Sequence, residues 1–126
     1  MTRAEKFQQS ITDLKHALTF EKQALKDSFY YSGIAKSFEV ALEYGWKSLR
    51  LQVVDSGLEA ESPRDAVKLA GRLGLIDDVE QWLNFLKIRN IAVHDYLGID
   101  KSDYLKAAHD LLGALTALER KLKSKE

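Results

Sequence analysis

The chain has no cysteine among its 126 residues. That removes disulfides, thiolate nucleophiles and the cysteine-bearing metal sites, and it fits the reducing cytoplasm. Three histidines, His16, His94 and His109, lie scattered along the sequence, so neither a zinc site nor any other metal or cofactor is expected. Proline occurs once, and runs of β-branched residues are few, which favours helix throughout. Charge of one sign is missing as well: Lys plus Arg and Asp plus Glu number 19 each. No net field therefore draws nucleic acid to the molecule, and any RNA contact has to come from a local patch. There is no glycine-rich phosphate loop, no repeat, no signal-peptide pattern and no apolar run long enough to span a bilayer. These features lead us to expect a single domain over residues 1–126, cytoplasmic and without a membrane segment.

Apolar residues recur at helical spacing along most of the chain. Phe7, Ile11, Leu14, Leu18 and Leu25 form one narrow stripe and predict a first helix over about 2–25. Asp27 and Ser28 offer a cap for a second helix over about 29–54, whose stripe is Tyr31, Ile34, Phe38, Leu42, Gly45, Leu49 and Val53. Gly45 weakens a helix in isolation; on that stripe it suggests the close approach of another backbone. Ser62 as cap, Pro63 at the first helical position and Asp65 start a short helix over about 63–73, stopped by Gly74. Asp77 and Glu80 read as the capping pair of the fourth helix, which runs from about Asp78 into the segment ending at Tyr96. Leu97–Asp100 breaks the pattern, and a last helix over about 101–123 carries Tyr104, Leu105, Ala108, Leu111, Leu112, Leu115, Leu118 and Leu122. The expected fold is all-α: an up-down four-helix bundle with one extra short helix. Phe29, Tyr30, Tyr31 and Trp46 exceed what one stripe needs, which is compatible with a homodimer seam.

The densest chemistry lies in Lys87–Tyr96, where Arg89, Asn90, His94, Asp95 and Tyr96 fall within eight positions. Arg89 and Tyr96 are seven apart and share one line of a helix flanked by Trp82, Phe85, Leu86 and Val93. Arg89 thus sits on the apolar stripe, where a lone charge is costly. Glu39 and Glu43, four apart on the border of the second stripe and beside Trp46, are the natural carboxylates to neutralise it. On spacing alone Arg89 serves either a structural ion pair or a site in a groove between helices. Asn90 and His94, also four apart, line the stripe edge. On an ideal helix Arg89 and His94 point about 140° apart, so a single straight helix does not aim both at one phosphate.

Arg89, His94 and Tyr96 are similar to the R-x4-H-x-Y signature of the HEPN superfamily. More narrowly, the chain resembles the nucleotidyltransferase substrate-binding protein family. The run from Lys36 to Leu49 is similar to that family's F-E-x3-E-x2-W-K-x-L pattern, and Ser62–Ala66, Gly74–Asp78 and Trp82 extend the likeness. Ala92 stands where the family is expected to vary among small residues. The resemblance implies a HEPN-like bundle, a homodimer, and a separate minimal nucleotidyltransferase as partner in a two-component, toxin–antitoxin-like module. It also implies metal-independent RNA cleavage, with Arg89 and His94 as catalytic residues, and Tyr96 as the site that the partner modifies with AMP. The residues themselves suggest supporting roles for Asn90, which orients His94 or donates to the phosphate, for Tyr96 in positioning a phosphate, and for Glu39 and Glu43 beside Arg89. The residue types suit the chemistry, since histidine titrates near neutrality and an arginine fork matches charge on phosphate oxygens. The alternative is a non-catalytic subunit that grips nucleotide or substrate for the nucleotidyltransferase.

Overall fold

The structure, a computed structural model, describes residues 1–125 and every side chain among them except that of Tyr96. The described chain forms helices α1 (Arg3–Leu18), α2 (Glu21–Ala24), α3 (Ser28–Asp55), α4 (Pro63–Arg72), α5 (Val79–Asp95) and α6 (Lys101–Ser124), with a 3-10 turn over Tyr96–Gly98. No strand occurs among them. The longest helix, α3, is the axis of the bundle and packs against each of the other five.

The reason is its stripe. Tyr31, Ile34, Phe38, Leu42, Gly45, Leu49 and Val53 are all buried, as their spacing predicts. Asp27 starts the helix by accepting a hydrogen bond from the Phe29 amide at 2.9 Å. Opposite it, α6 contributes Tyr104, Leu105, Ala108, Leu111, Leu115 and Leu118, while α5 contributes Trp82, Phe85 and Leu86. Phe38 makes edge-to-face contacts with Tyr104 and Phe85, joining the three helices. Gly45 matters here. A Cβ at that position would lie 2.6 Å from Leu115 Cδ2 and 3.3 Å from the Trp82 ring. Side chains, not another backbone, fill the space that the glycine leaves.

The first predicted helix is broken. Thr19 and Phe20 close back on His16 and Ala17 with i→i−3 hydrogen bonds, and the Thr19 hydroxyl donates to the His16 carbonyl at 2.6 Å. This tightening ends α1 at Leu18 and turns the chain, so that Phe20 stacks on Tyr30 and Ala24 faces inward. Leu25, counted on the stripe, is exposed as a result.

The start of α5 is also shifted by one residue. Asp78, not Asp77, is the capping side chain, accepting from the Gln81 amide at 2.9 Å. Asp77 instead meets Lys121 Nζ at 3.3 Å, tying the loop to α6. The α4 boundaries follow expectation: Ser62 accepts from the Asp65 amide, and Gly74 takes a φ of +75° that only glycine adopts readily. Val93 departs from the expected stripe and is exposed, because the buried part of α5 ends before it.

Candidate functional site

The C-terminal half of α5 leaves the core and presents its side chains to a shallow groove against α3. The groove is about 480 Å³ and is lined by Glu39, Glu43, Arg89, Asn90, Val93 and His94. Arg89 and His94 therefore face one space although α5 is an unbroken helix to Asp95. The hydrogen bonds of the arginine to Asn90, the next residue, account for this, since they carry the guanidinium round the helix towards His94.

The Arg89 side chain is 20% exposed and held from two sides. Asn90 Oδ1 accepts from its Nε at 3.3 Å and from the Nη2 group at 2.9 Å. Glu43 Oε2 lies 3.5 Å from Nη1. The expected acidic partner on the second long helix is thus Glu43. Glu39 is exposed, lines the same groove and makes no ion pair among the described residues.

Glu43 is the hub of this arrangement. Its Oε2 also accepts from the Trp46 indole N–H at 3.0 Å, and its Oε1 pairs with Lys47 Nζ at 3.1 Å. Burial by itself pushes the carboxyl upward. The hydrogen bonds from Trp46 and Lys47 and the charges of Lys47 and Arg89 outweigh it, so the group titrates below the ordinary glutamate value. Glu43 stays ionised near neutrality and keeps Arg89 in place. The spacing already contained the hub, with Trp46 and Lys47 three and four residues after Glu43, but only Trp46 is placed beside the glutamates from the sequence, and Lys47 is given no role there.

His94 is exposed and makes no hydrogen bond or ion pair among the described residues. Its imidazole is free to meet a ligand. Asn90 spends its carbonyl oxygen on Arg89, and its amide N–H groups meet no acceptor among the described residues. Tyr96 lies in the 3-10 turn directly after α5, and its side chain falls outside the described residues. That turn is closed by Asp95, whose Oδ1 accepts from the Gly98 amide at 3.0 Å. The same carboxylate comes so close to Gly98 that a Cβ there would collide with it.

In the neighbouring core, Tyr31 and Tyr104 meet edge to ring. Burial first, then the negative surroundings of Tyr31 and Glu39, push the Tyr104 phenol far above its ordinary range, so it stays protonated. Tyr31 is fully buried, and Tyr30 and Trp46 are half-buried against Phe20 and Glu43. Of the four aromatics counted as surplus, Phe29 alone stands fully in solvent, at 78% exposure.

A second groove lies on the other side of the same ridge and shares Asn90 and His94 with the first. Its walls are α4 and α5, and its cations are Arg64, Lys68 and Lys87. Sequence reasoning passed over these three, although Arg64 and Lys68 are four apart on one helix face. Among the described residues no three of His, Cys, Asp and Glu gather as a metal site. No helix of the described residues is long and apolar enough to cross a membrane.

Two of three comparisons place the chain among known proteins. No curated protein matches it. Among solved structures it is similar to a tri-AMPylated HEPN toxin of Shewanella oneidensis in complex with an MNT antitoxin, with a TM-score of 0.84 and 16% sequence identity, covering 97% of this chain and 94% of that one. The likeness establishes the HEPN fold, in keeping with the bundle expected from the stripes. The model of the family described as nucleotidyltransferase substrate binding protein like matches residues 2–124. The chain belongs to the nucleotidyltransferase substrate binding protein like family.

Proposed function

We propose that this protein is the HEPN-fold partner of a separate nucleotidyltransferase in a two-component toxin–antitoxin module, and that it is an RNA-cleaving toxin using Arg89 and His94. One observation carries the catalytic part. A guanidinium fixed by Asn90 and Glu43 and an unencumbered imidazole line the same open groove. The similar HEPN toxin, seen with an MNT antitoxin, supports the partner.

In this reading the RNA 2′-oxygen attacks its own phosphorus, the O2′–P bond forms and the P–O5′ bond breaks. His94 takes the 2′-hydroxyl proton, or gives one to the leaving 5′-oxygen. Arg89 neutralises the charge that grows on the non-bridging oxygens. One histidine does not fill both roles in a single event, and a second copy of the chain in a homodimer supplies the other. The partner transfers the adenylyl group of ATP to the Tyr96 hydroxyl with loss of pyrophosphate, placing a bulky anion at the end of α5. The tri-AMPylated state of the similar toxin supports the modification; its place at Tyr96 rests on the motif.

The test is cleavage of RNA in EDTA by wild type and His94→Ala. Activity in the first and none in the second is expected; equal activity would assign the cleavage to a contaminant. Glu43 favours a second reading, in which the chain is a non-catalytic nucleotide- or substrate-binding subunit. A carboxylate already on Arg89 lowers the charge available to a transition state while still permitting a phosphate to be held. No cleavage by dimeric, unmodified wild type over varied RNAs would favour that reading.

A further inference from the structure

We propose that the groove between α4 and α5 is a track for the phosphates of single-stranded RNA, contacted by Arg64, Lys68 and Lys87. The proposal rests on the RNA-cleaving reading of the neighbouring groove and gives that site its approach path.

The groove holds about 870 Å³ and is the roomier of the two that meet at Asn90 and His94. Its α5 wall is regular. Glu80, Asn84, Lys87, Ile91 and His94 all line it and recur at alternating steps of four and three, which puts them on one line of the helix. At a rise of about 1.5 Å per residue that line runs about 21 Å and ends at the imidazole. Arg64 and Lys68 face it from one side of α4.

All three cations are exposed, and none makes an ion pair or side-chain hydrogen bond among the described residues. Two acids also line the groove. Asp95 is engaged with the Gly98 amide. Glu80 sits in the first turn of α5, where the positive end of the helix dipole offsets its charge. Cations thus face the groove from both walls in a protein of zero net charge.

The floor favours a single strand over a duplex. Leu83 and Ile91 offer apolar contact, and a single strand has unstacked bases to place there, whereas a duplex hides them. Asn84 and Asn90 add amide donors for phosphate or base edges. A strand held in this way carries one of its phosphates across the Asn90–His94 ridge and into the groove of Arg89.

The experiment measures binding of a fluorescein-labelled oligouridylate by anisotropy, in a His94→Ala background so that the probe stays whole. The triple variant Arg64→Gln, Lys68→Gln, Lys87→Gln is compared with its parent and with Lys15→Gln, Lys22→Gln, Lys26→Gln, three cations outside the groove. Each phosphate contact on a single strand contributes about 0.7 to the slope of log K against log salt. Loss of three lowers that slope by about 2 and weakens binding by up to about 100-fold at 0.1 M salt. The control triple keeps the parental slope. Unchanged binding in the groove variant, an equal loss in the control, or no binding by the parent overturns the track. Cation-dependent binding by a protein whose wild type cleaves nothing upholds the track and sinks the nuclease reading. Cleavage and binding unchanged in the groove triple, built with His94 intact, do the reverse.

Discussion

Breaking the contact between Glu43 and Arg89 tests how far the site is part of the structure. An exposed ion pair contributes about 0.2–1 kcal/mol, whereas removing one partner of a fully buried pair costs about 3–5 kcal/mol. Here the carboxylate side chain is 39% exposed and the arginine 20%, at 3.5 Å. That separation and exposure place the coupling at the top of the first range, about 1 kcal/mol. Glu43→Ala also strands the Trp46 indole N–H and frees Lys47, so its total cost is about 2 kcal/mol. For a domain of this length that is a fall in Tm of about 8 °C. Arg89→Ala loses less, because Glu43 keeps two other partners. Urea unfolding of wild type, both single variants and the double variant closes the cycle. A coupling above about 3 kcal/mol, or one indistinguishable from zero, refutes the reasoning. The first would mean that the pair is desolvated, the second that Asn90 alone holds Arg89. The pH dependence has a fixed sign. Glu43 titrates below 4.5 in the folded protein, so its contribution is fully present above that value and is lost as pH falls through the depressed one. The stability gap between wild type and Glu43→Gln therefore stays constant at neutral pH and narrows in acid; a gap that widens in acid contradicts the hub described here.

Gly45→Ala sets a helix gain of about 1 kcal/mol against overpacking of about 1–3 kcal/mol, because the new methyl meets Leu115 and Trp82 in a filled core. A net loss of about 1 kcal/mol, or about 4 °C in Tm, is expected, and a raised Tm by calorimetry would count against the tight fit. Val93 and Leu97 stand exposed beside the motif and are the apolar surface that the proposed homodimer would cover. Val93→Lys should halve the mass seen by light scattering and abolish cleavage while leaving Tm within about 2 °C, as surface changes do; an unchanged mass refutes that seam.

Much of the fold was legible because its decisive residues lie within single helices. Every residue of the Tyr31–Val53 stripe is buried, because α3 packs against all five other helices. The break at Thr19–Phe20 was not legible. No proline or glycine marks it: the Thr19 hydroxyl and two i→i−3 hydrogen bonds tighten the turn, and the stacking of Phe20 on Tyr30, ten residues away, holds the chain in its new direction. The shift from Asp77 to Asp78 is of the same kind, because both acids suit a cap and the contact with Lys121 on α6 decides between them. At the site, the apolar spacing around Arg89 correctly called for a carboxylate, and the Glu39–Glu43 pair narrowed it to two. Choosing Glu43 required the rotation of α3 against α5. The divergent directions of Arg89 and His94 were an obstacle only while side chains were treated as spokes of equal length. The basic groove escaped notice because its cations come from two helices, and only packing brings them together.

The departure of α5 from the core after Leu86 has a consequence for motion. Trp82, Phe85 and Leu86 anchor the first half of that helix, while Asn90, Ile91, Val93, His94 and Asp95 stand in solvent with only the half-buried Ile88, Arg89 and Ala92 beneath them. The last turns thus open at lower free energy than the rest, and their amides exchange with solvent ahead of those around Trp82. A ligand, a second protomer or a modifying partner that covers this end then adds the order that the monomer does not provide by itself. Such a covering binds more weakly than its contacts alone would suggest, and in return each of these encounters shifts the populations of the other two.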